Sequence, residues 1–226
     1  MILRRIRAIF LLILLMFIIF FAFRGLSFFR KDFISSKKVI VIDPGHGGKD
    51  SGTIGFNNSY EKDINLDISK KLYKKLKSMG YKVILTRATD EFIDNNTRAD
   101  IANKKRARVF ISIHGNAIEN NNTVNGVQVL YYPNRESTIN DPNSDSLAQI
   151  ILDKLLEETG ADNKGIVDRP DLIVLNQTKM PAIIVECGFL SNENEEKLLL
   201  TDDYQDKIVD SIVNGLENYF ELNLDN

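Results

Sequence analysis

The sequence predicts a single α/β domain whose mostly parallel or mixed sheet is flanked by helices on both faces, preceded by an N-terminal membrane anchor. Three observations carry that expectation. Short runs of β-branched and aliphatic residues recur along the chain, and most are followed by a longer stretch with apolar residues three and four apart, the alternation that builds a covered sheet. Glycines mark several of the junctions, as at Gly80 and Gly160. Ahead of all this, Arg4, Arg5 and Arg7 precede an uninterrupted apolar run, Ala8 to Phe23.

That run reaches about 24 Å as a helix, less than the bilayer core of about 30 Å, so it suits both a signal-peptide core and a signal anchor. Cleavage calls for small residues at a spacing of two, whereas Phe21, Phe23, Phe28 and Phe29 crowd the region after the run. An uncleaved anchor is the favoured reading. Arg24, Arg30 and Lys31 balance the three leading arginines, so charge does not orient the segment. The chain divides into a membrane-targeting segment at 1–31, a polar linker at 32–37 and a folded domain at 38–222.

Residues 32–226 hold 23 of the 29 basic and all 31 acidic residues, a net charge of −8 that argues against nucleic-acid binding. The one cysteine, Cys187, lies in an apolar strand pattern and reads as a buried small hydrophobe.

Within the domain, Val39 to Ile42 are all β-branched and predict a strand buried on both faces, stopped by Asp43, Pro44 and Gly45. Glu61 to Met79 places Ile64, Ile68, Leu72, Leu76 and Met79 on one helical stripe, ended by Gly80. Tyr81 to Thr86 is a strand and Thr97 to Lys105 a short helix with Thr97 as N-cap. Val109 to Ile113 and Gly126 to Tyr132 are strands, and Ser144 to Thr159 is an amphipathic helix closed by Gly160. Leu172 to Leu175 and Ala182 to Glu186 read as the last strands. Glu193 to Leu200 and Tyr204 to Phe220 are closing helices.

Only two histidines exist, His46 and His114, and each follows a strand pattern and adjoins glycine. In open α/β sheets the functional crevice lies outside the carboxyl ends of the strands, which is where both histidines and Glu186 fall. A shared metal follows from that convergence. A catalytic zinc takes three protein ligands, so the third is a carboxylate or Cys187, with Asp43, Asp50, Glu61 and Glu186 as candidates. Asp43 and Asp50 also fit ordinary turn chemistry, and Glu61 fits helix-dipole complementation. Glu186 ends a five-residue apolar strand, a costly place for an unpartnered carboxylate, and so is a candidate base. Gly47-Gly48-Lys49 is not a phosphate loop, because Asp50 stands where Ser or Thr is needed, and no G-x-S-x-G is present.

The motifs DPGHGGKDSG at Asp43 to Gly52, EKDINLDISKKL at Glu61 to Leu72 and SIHGNA at Ser112 to Ala117 resemble the zinc-dependent N-acetylmuramoyl-L-alanine amidases of the Amidase_3 family. NGVQVLYYP at Asn125 to Pro133 and MPAIIVECGFLSN at Met180 to Asn192 extend the likeness. The resemblance implies Zn2+ held by His46, Glu61 and His114, with Glu186 as the catalytic glutamate. It implies hydrolysis of the amide joining the lactyl group of N-acetylmuramic acid to the first L-alanine of the peptidoglycan stem. Arg98 and Asn103 resemble positions near the family's site, and their residue types alone assign them no role. The short Asn134 to Asn143 connection leaves no room for the long plugging helix that some relatives carry.

A short, anchored, single-domain member is most similar to the CwlD germination-specific subgroup, which acts on spore cortex on the route to muramic-δ-lactam. The implied location is extracytoplasmic, membrane-anchored or secreted, including the forespore cortex space. With no wall-binding repeat, localisation falls to the anchor or to an accessory or regulatory protein. Two other functions remain compatible with the same residues: a non-catalytic peptidoglycan-binding module, and another zinc hydrolase, a peptidase or deacetylase.

Overall fold

The computed structural model describes residues 13–21, 38–133 and 143–222. Six strands form one sheet: β1 (Val39–Pro44), β2 (Lys82–Leu85), β3 (Val109–Asn116), β4 (Val127–Tyr131), β5 (Asn163–Asp168) and β6 (Ala182–Phe189). Their spatial order is β2-β1-β3-β6-β4-β5. β2, β1, β3 and β6 run parallel to one another, β4 runs antiparallel to β6, and β5 runs parallel to β4, so the sheet is mixed.

The helices are α1 (13–21), α2 (Glu61–Ser78), α3 (Asn95–Lys104), α4 (Ser144–Thr159), α5 (Ile173–Asn176), α6 (Glu193–Leu199) and α7 (Asp202–Leu222). The pleat of each central strand sends alternate residues into two cores. Ile40, Ile42, Ile111, Ile113, Val129, Ile183 and Val185 pack under α2, α4 and α7. Val41, Phe110, Leu130, Ala182 and Ile184 pack with Ala102 of α3 and with Val174 and Leu175 of α5. Apolar demand on both faces explains why these strands read as continuous hydrophobic runs.

Three expectations are corrected. Helix α3 begins at Asn95 and is capped by Asp94, whose Oδ1 accepts the Thr97 amide at 3.0 Å. Aspartate is at least as good an N-cap as threonine, and from three residues upstream it satisfies an amide of the first turn. Leu172 to Leu175 is not a strand, since the Leu175 and Asn176 amides both donate to the Leu172 carbonyl at 3.0 Å and close a helical turn. A four-residue apolar run has no periodicity to separate the two states. Strand β5 was not predicted: Asn163, Lys164, Gly165 and Asp168 break any apolar pattern in a half-exposed edge strand.

The residues of α1 from Ile13 to Phe21 are exposed apolar side chains. Among the described residues no helix is long and apolar enough to cross a membrane. The expectations for the leading arginines, the region after the apolar run, the linker at 32–37 and nearly all of the Asn134 to Asn143 connection lie outside the described residues.

Candidate metal centre

Four elements bring the predicted site residues to one end of the sheet. His46 sits two residues past β1, with its backbone in the left-handed region at φ 60°. That is an uncommon conformation for a non-glycine residue and is held only where surroundings enforce it. His114 lies in β3, directly in register with Glu186 of β6, so both side chains leave the same face of the sheet. Glu61 is the first residue of α2 and reaches across from the helix amino end.

The two imidazoles converge on one carboxylate oxygen. His46 Nε2 lies 3.2 Å from Glu61 Oε1 and His114 Nδ1 lies 2.9 Å from the same atom. One ligand atom from each of the three residues falls within 4.8 Å of the others. Glu61 is fixed from behind: the Thr53 amide donates to Oε2 at 2.8 Å, and Asn65 Nδ2 donates to Oε1 at 3.1 Å. His46 Nδ1 lies 2.9 Å from Asp50 Oδ2, which sets the ring's orientation. A Cβ on Gly45 would come within 2.3 Å of His114 Cε1 and Nε2, so only glycine leaves the ring its place.

Two imidazole nitrogens and one carboxylate oxygen form a donor set that suits zinc, and three protein ligands leave a coordination position for water or substrate. The residues present therefore fit such an ion. In the metal-free protein, burial opposes charge on His46, yet hydrogen bonds to Glu61 and Asp50 win and raise it to about 9. Burial likewise works against the Glu61 carboxylate, and the two imidazoles still hold it well below the usual range. Glu186 behaves in the opposite sense. Burial pushes it up to about 7, and its Oε2 is sealed from solvent with no hydrogen-bond partner among the described residues. A carboxyl poised near neutrality beside a cation-ready site can both take and return a proton.

Beneath the site, two buried arginines clamp the His46 loop by its carbonyls. Arg98, 3% exposed, donates from Nη1 to the Pro44 carbonyl at 2.8 Å and from Nη2 to the His46 carbonyl at 2.7 Å. Its Nη1 also pairs with Asp43 Oδ1 at 2.8 Å. Arg87, 1% exposed, donates to the Pro44 carbonyl at 2.9 Å and to the Gly45 carbonyl at 2.8 Å. Asp43 is thus not a turn residue but the buried counter-ion of this clamp, also accepting from Thr86 and Ser112.

Asn103 instead ties α3 to the segment before β6, donating to the Gln177 carbonyl at 2.8 Å and accepting the Lys179 amide at 2.9 Å. Cys187 is fully buried, and burial raises its thiol well above the ordinary range, as an inert core residue requires. Sequence reasoning missed Arg87. The signal was a lone arginine directly after the strand YKVILT, where a long cation can fold back under the strand ends.

A mixed sheet covered on both faces that gathers two imidazoles, a buried carboxylate and a second, raised carboxyl at its strand ends defines an α/β domain with a candidate metal centre. The model of the Amidase_3 family, N-acetylmuramoyl-L-alanine amidase, matches residues 40–218. LytC of Bacillus subtilis, an N-acetylmuramoyl-L-alanine amidase, is 36% identical over 81% of this chain, which spans about a third (36%) of LytC. A crystal structure of an N-acetylmuramoyl-L-alanine amidase from Clostridium difficile 630 superposes with TM-score 0.77 at 38% identity, covering 83% of this chain and 98% of that one. The CwlD amidase from Clostridioides difficile, solved in complex with the GerS lipoprotein, gives 0.74 at 33% identity, covering 82% and 100%. The chain belongs to the Amidase_3 family and is an N-acetylmuramoyl-L-alanine amidase.

Proposed function

We propose that this amidase is zinc-dependent, with Zn2+ held by His46, Glu61 and His114 and with Glu186 as the acid–base residue. The observation that carries the reading is the convergence of His46 Nε2 and His114 Nδ1 on Glu61 Oε1, with Glu186 in register beside His114. The substrate bond is the amide between the lactyl group of N-acetylmuramic acid and the first L-alanine of the stem peptide. When bound, zinc supplies Lewis-acid polarisation of the scissile carbonyl and of the attacking water. Glu186 takes the proton of that water and hands it to the departing amine. Asp50 and the Thr53 amide hold His46 and Glu61 in place throughout.

The exposed apolar side chains of 13–21 support an N-terminal membrane anchor, and with it an extracytoplasmic site of action. Near-complete overlap with the CwlD chain supports a role in spore cortex, and the CwlD–GerS complex supports an accessory protein for this chain as well.

The test uses the full chain with zinc on purified peptidoglycan, with mass spectrometry of the products. Stem peptides released with a free L-alanine amine are expected. The Glu186→Gln variant is expected to retain zinc and lose turnover by about 10²- to 10⁴-fold. Muropeptides bound but never cleaved at saturating zinc would reveal a binding module. Cleavage at a peptide or acetyl bond would make the protein a peptidase or deacetylase.

A further inference from the structure

Because β1, β2, β3 and β6 are parallel, their amino ends gather at the end of the sheet opposite His46, His114 and Glu186. The β2-β1-β3 side of this far end is basic, whereas β4 and β5, whose carboxyl ends reach the same end, bring Asp168 and the Arg169–Asp171 ion pair to its other side. Lys82 is in register with Val39, and the Arg108 amide donates to the Val39 carbonyl at 2.7 Å. Lys38 precedes β1, Lys77 lies in the last turn of α2, and Lys105 and Arg106 follow α3. Lys77 and Lys105 complement helix carboxyl ends. Lys38 lies with its Nζ 4.0 Å over the Phe220 ring; Lys82, Arg106 and Arg108 have no such duty, and none of the four pairs with a carboxylate among the described residues. Burial and the neighbouring Arg108 push Lys38 down to about 8, as cations crowded without an anion should behave. On the α7 side, Glu217 and Glu221 border the patch beside Tyr81.

Such a patch runs against the net charge of −8 carried by residues 32–226. The loops around the metal ligands carry Asp50, Asp90, Glu91 and Glu119 instead. The chain also enters the domain at the basic end: Val39 opens β1 there, and fifteen residues separate it from Phe23, the last of the apolar run. That tether spans at most about 50 Å.

We propose that the basic strand-start end is a docking face for the anionic lipid headgroups of the membrane that holds the N-terminal segment, so that the metal centre faces away from the bilayer. The proposal rests on the anchor inferred above. Each basic side chain beside an anionic surface strengthens attraction about fivefold, and the effect is screened by salt.

The test reconstitutes the full chain in phosphatidylcholine vesicles, alone or with 30 mol% phosphatidylglycerol added, each with a headgroup energy-transfer acceptor. A donor dye goes on Ser78→Cys, an exposed position in the last turn of α2, since Cys187 is buried. Transfer is expected to rise in the anionic vesicles and to fall back in 0.5 M NaCl. The Lys82→Gln/Lys105→Gln/Arg106→Asn variant should abolish that rise while keeping activity on soluble muropeptides. All three side chains are exposed. Their removal weakens docking by about 100-fold. A chain that fails to float with neutral vesicles overturns the anchor and the docking with it. A chain that floats but shows equal transfer in both lipids, or a rise untouched by the triple variant, overturns the docking alone.

Discussion

Replacing Arg98 by methionine tests whether the clamp under His46 shapes the site or merely fills space. Arg98 and Asp43 are 3% and 1% exposed and 2.8 Å apart, so the change leaves a buried carboxylate without its counter-ion. Breaking such a pair costs about 3–5 kcal/mol, a large part of a typical 5–15 kcal/mol stability. For a domain of this size 1 kcal/mol corresponds to about 2–4 °C in Tm, so Arg98→Met is expected to melt about 10 °C lower. Asp43→Asn should also destabilise, and the double variant should lose clearly less than the sum, because the second change removes the charge that the first one stranded. Zinc affinity gives the second readout. Arg98 donates to the Pro44 and His46 carbonyls, so its loss should weaken zinc more than tenfold. Leu155→Ala, a cavity in α4 costing a similar 2–5 kcal/mol, should leave the affinity of the folded fraction unchanged. Thermal and denaturant unfolding of the parent and the four variants, with zinc titration of each, decides the matter. An Arg98→Met protein within about 3 °C of the parent, or additive losses across the cycle, would refute the clamp.

Gly45→Ala forces a Cβ to within 2.3 Å of the His114 ring, and zinc titration should show at least a tenfold loss of affinity with little change in fold by circular dichroism. Asp50→Ala removes the carboxylate 2.9 Å from His46 Nδ1 and should weaken zinc about 10- to 100-fold by competition with a chelating dye. In metal-free protein, the His46 contribution is complete below its ordinary 6.5 and is lost as pH rises through about 9. The Glu61 contribution is complete above its ordinary 4.5 and is lost as pH falls toward its depressed value. Glu186, raised to about 7, adds a loss between about pH 4.5 and 7, so the Tm in chelator should be highest near pH 4.5 and decline toward pH 9. Zinc, which takes the place of the protons, should remove the alkaline decline. A metal-free Tm that climbs from pH 6.5 to 9 would contradict the Glu61 contacts.

How much could be read from sequence depended on how strongly a feature is written locally. Val39 to Ile42 and the stripe from Ile64 to Leu76 announce themselves because burial on two faces or one face repeats with a fixed period. His46 and His114 stood out because histidine is scarce here and both follow strands. Strand β5 left no trace, since pairing with β4, not its own side chains, makes it a strand. Asp43 looked like turn chemistry because its partners, Thr86, Arg98 and Ser112, are 43 to 69 residues away in the chain. Arg87 was hidden for the same reason: its ligands are backbone carbonyls, which carry no residue identity.

The carbonyls of Pro44, Gly45 and His46 are gripped by side chains from residues 87 and 98, while the other site groups arrive at 114 and 186. Shaping the left-handed His46 therefore waits for β2 and α3 to dock, contacts of high sequence separation that form late. The three candidate ligands come together only once β3 joins β1 and α2, and Glu186 joins them only with β6, so the complete candidate site depends on strands up to 140 residues apart in the chain.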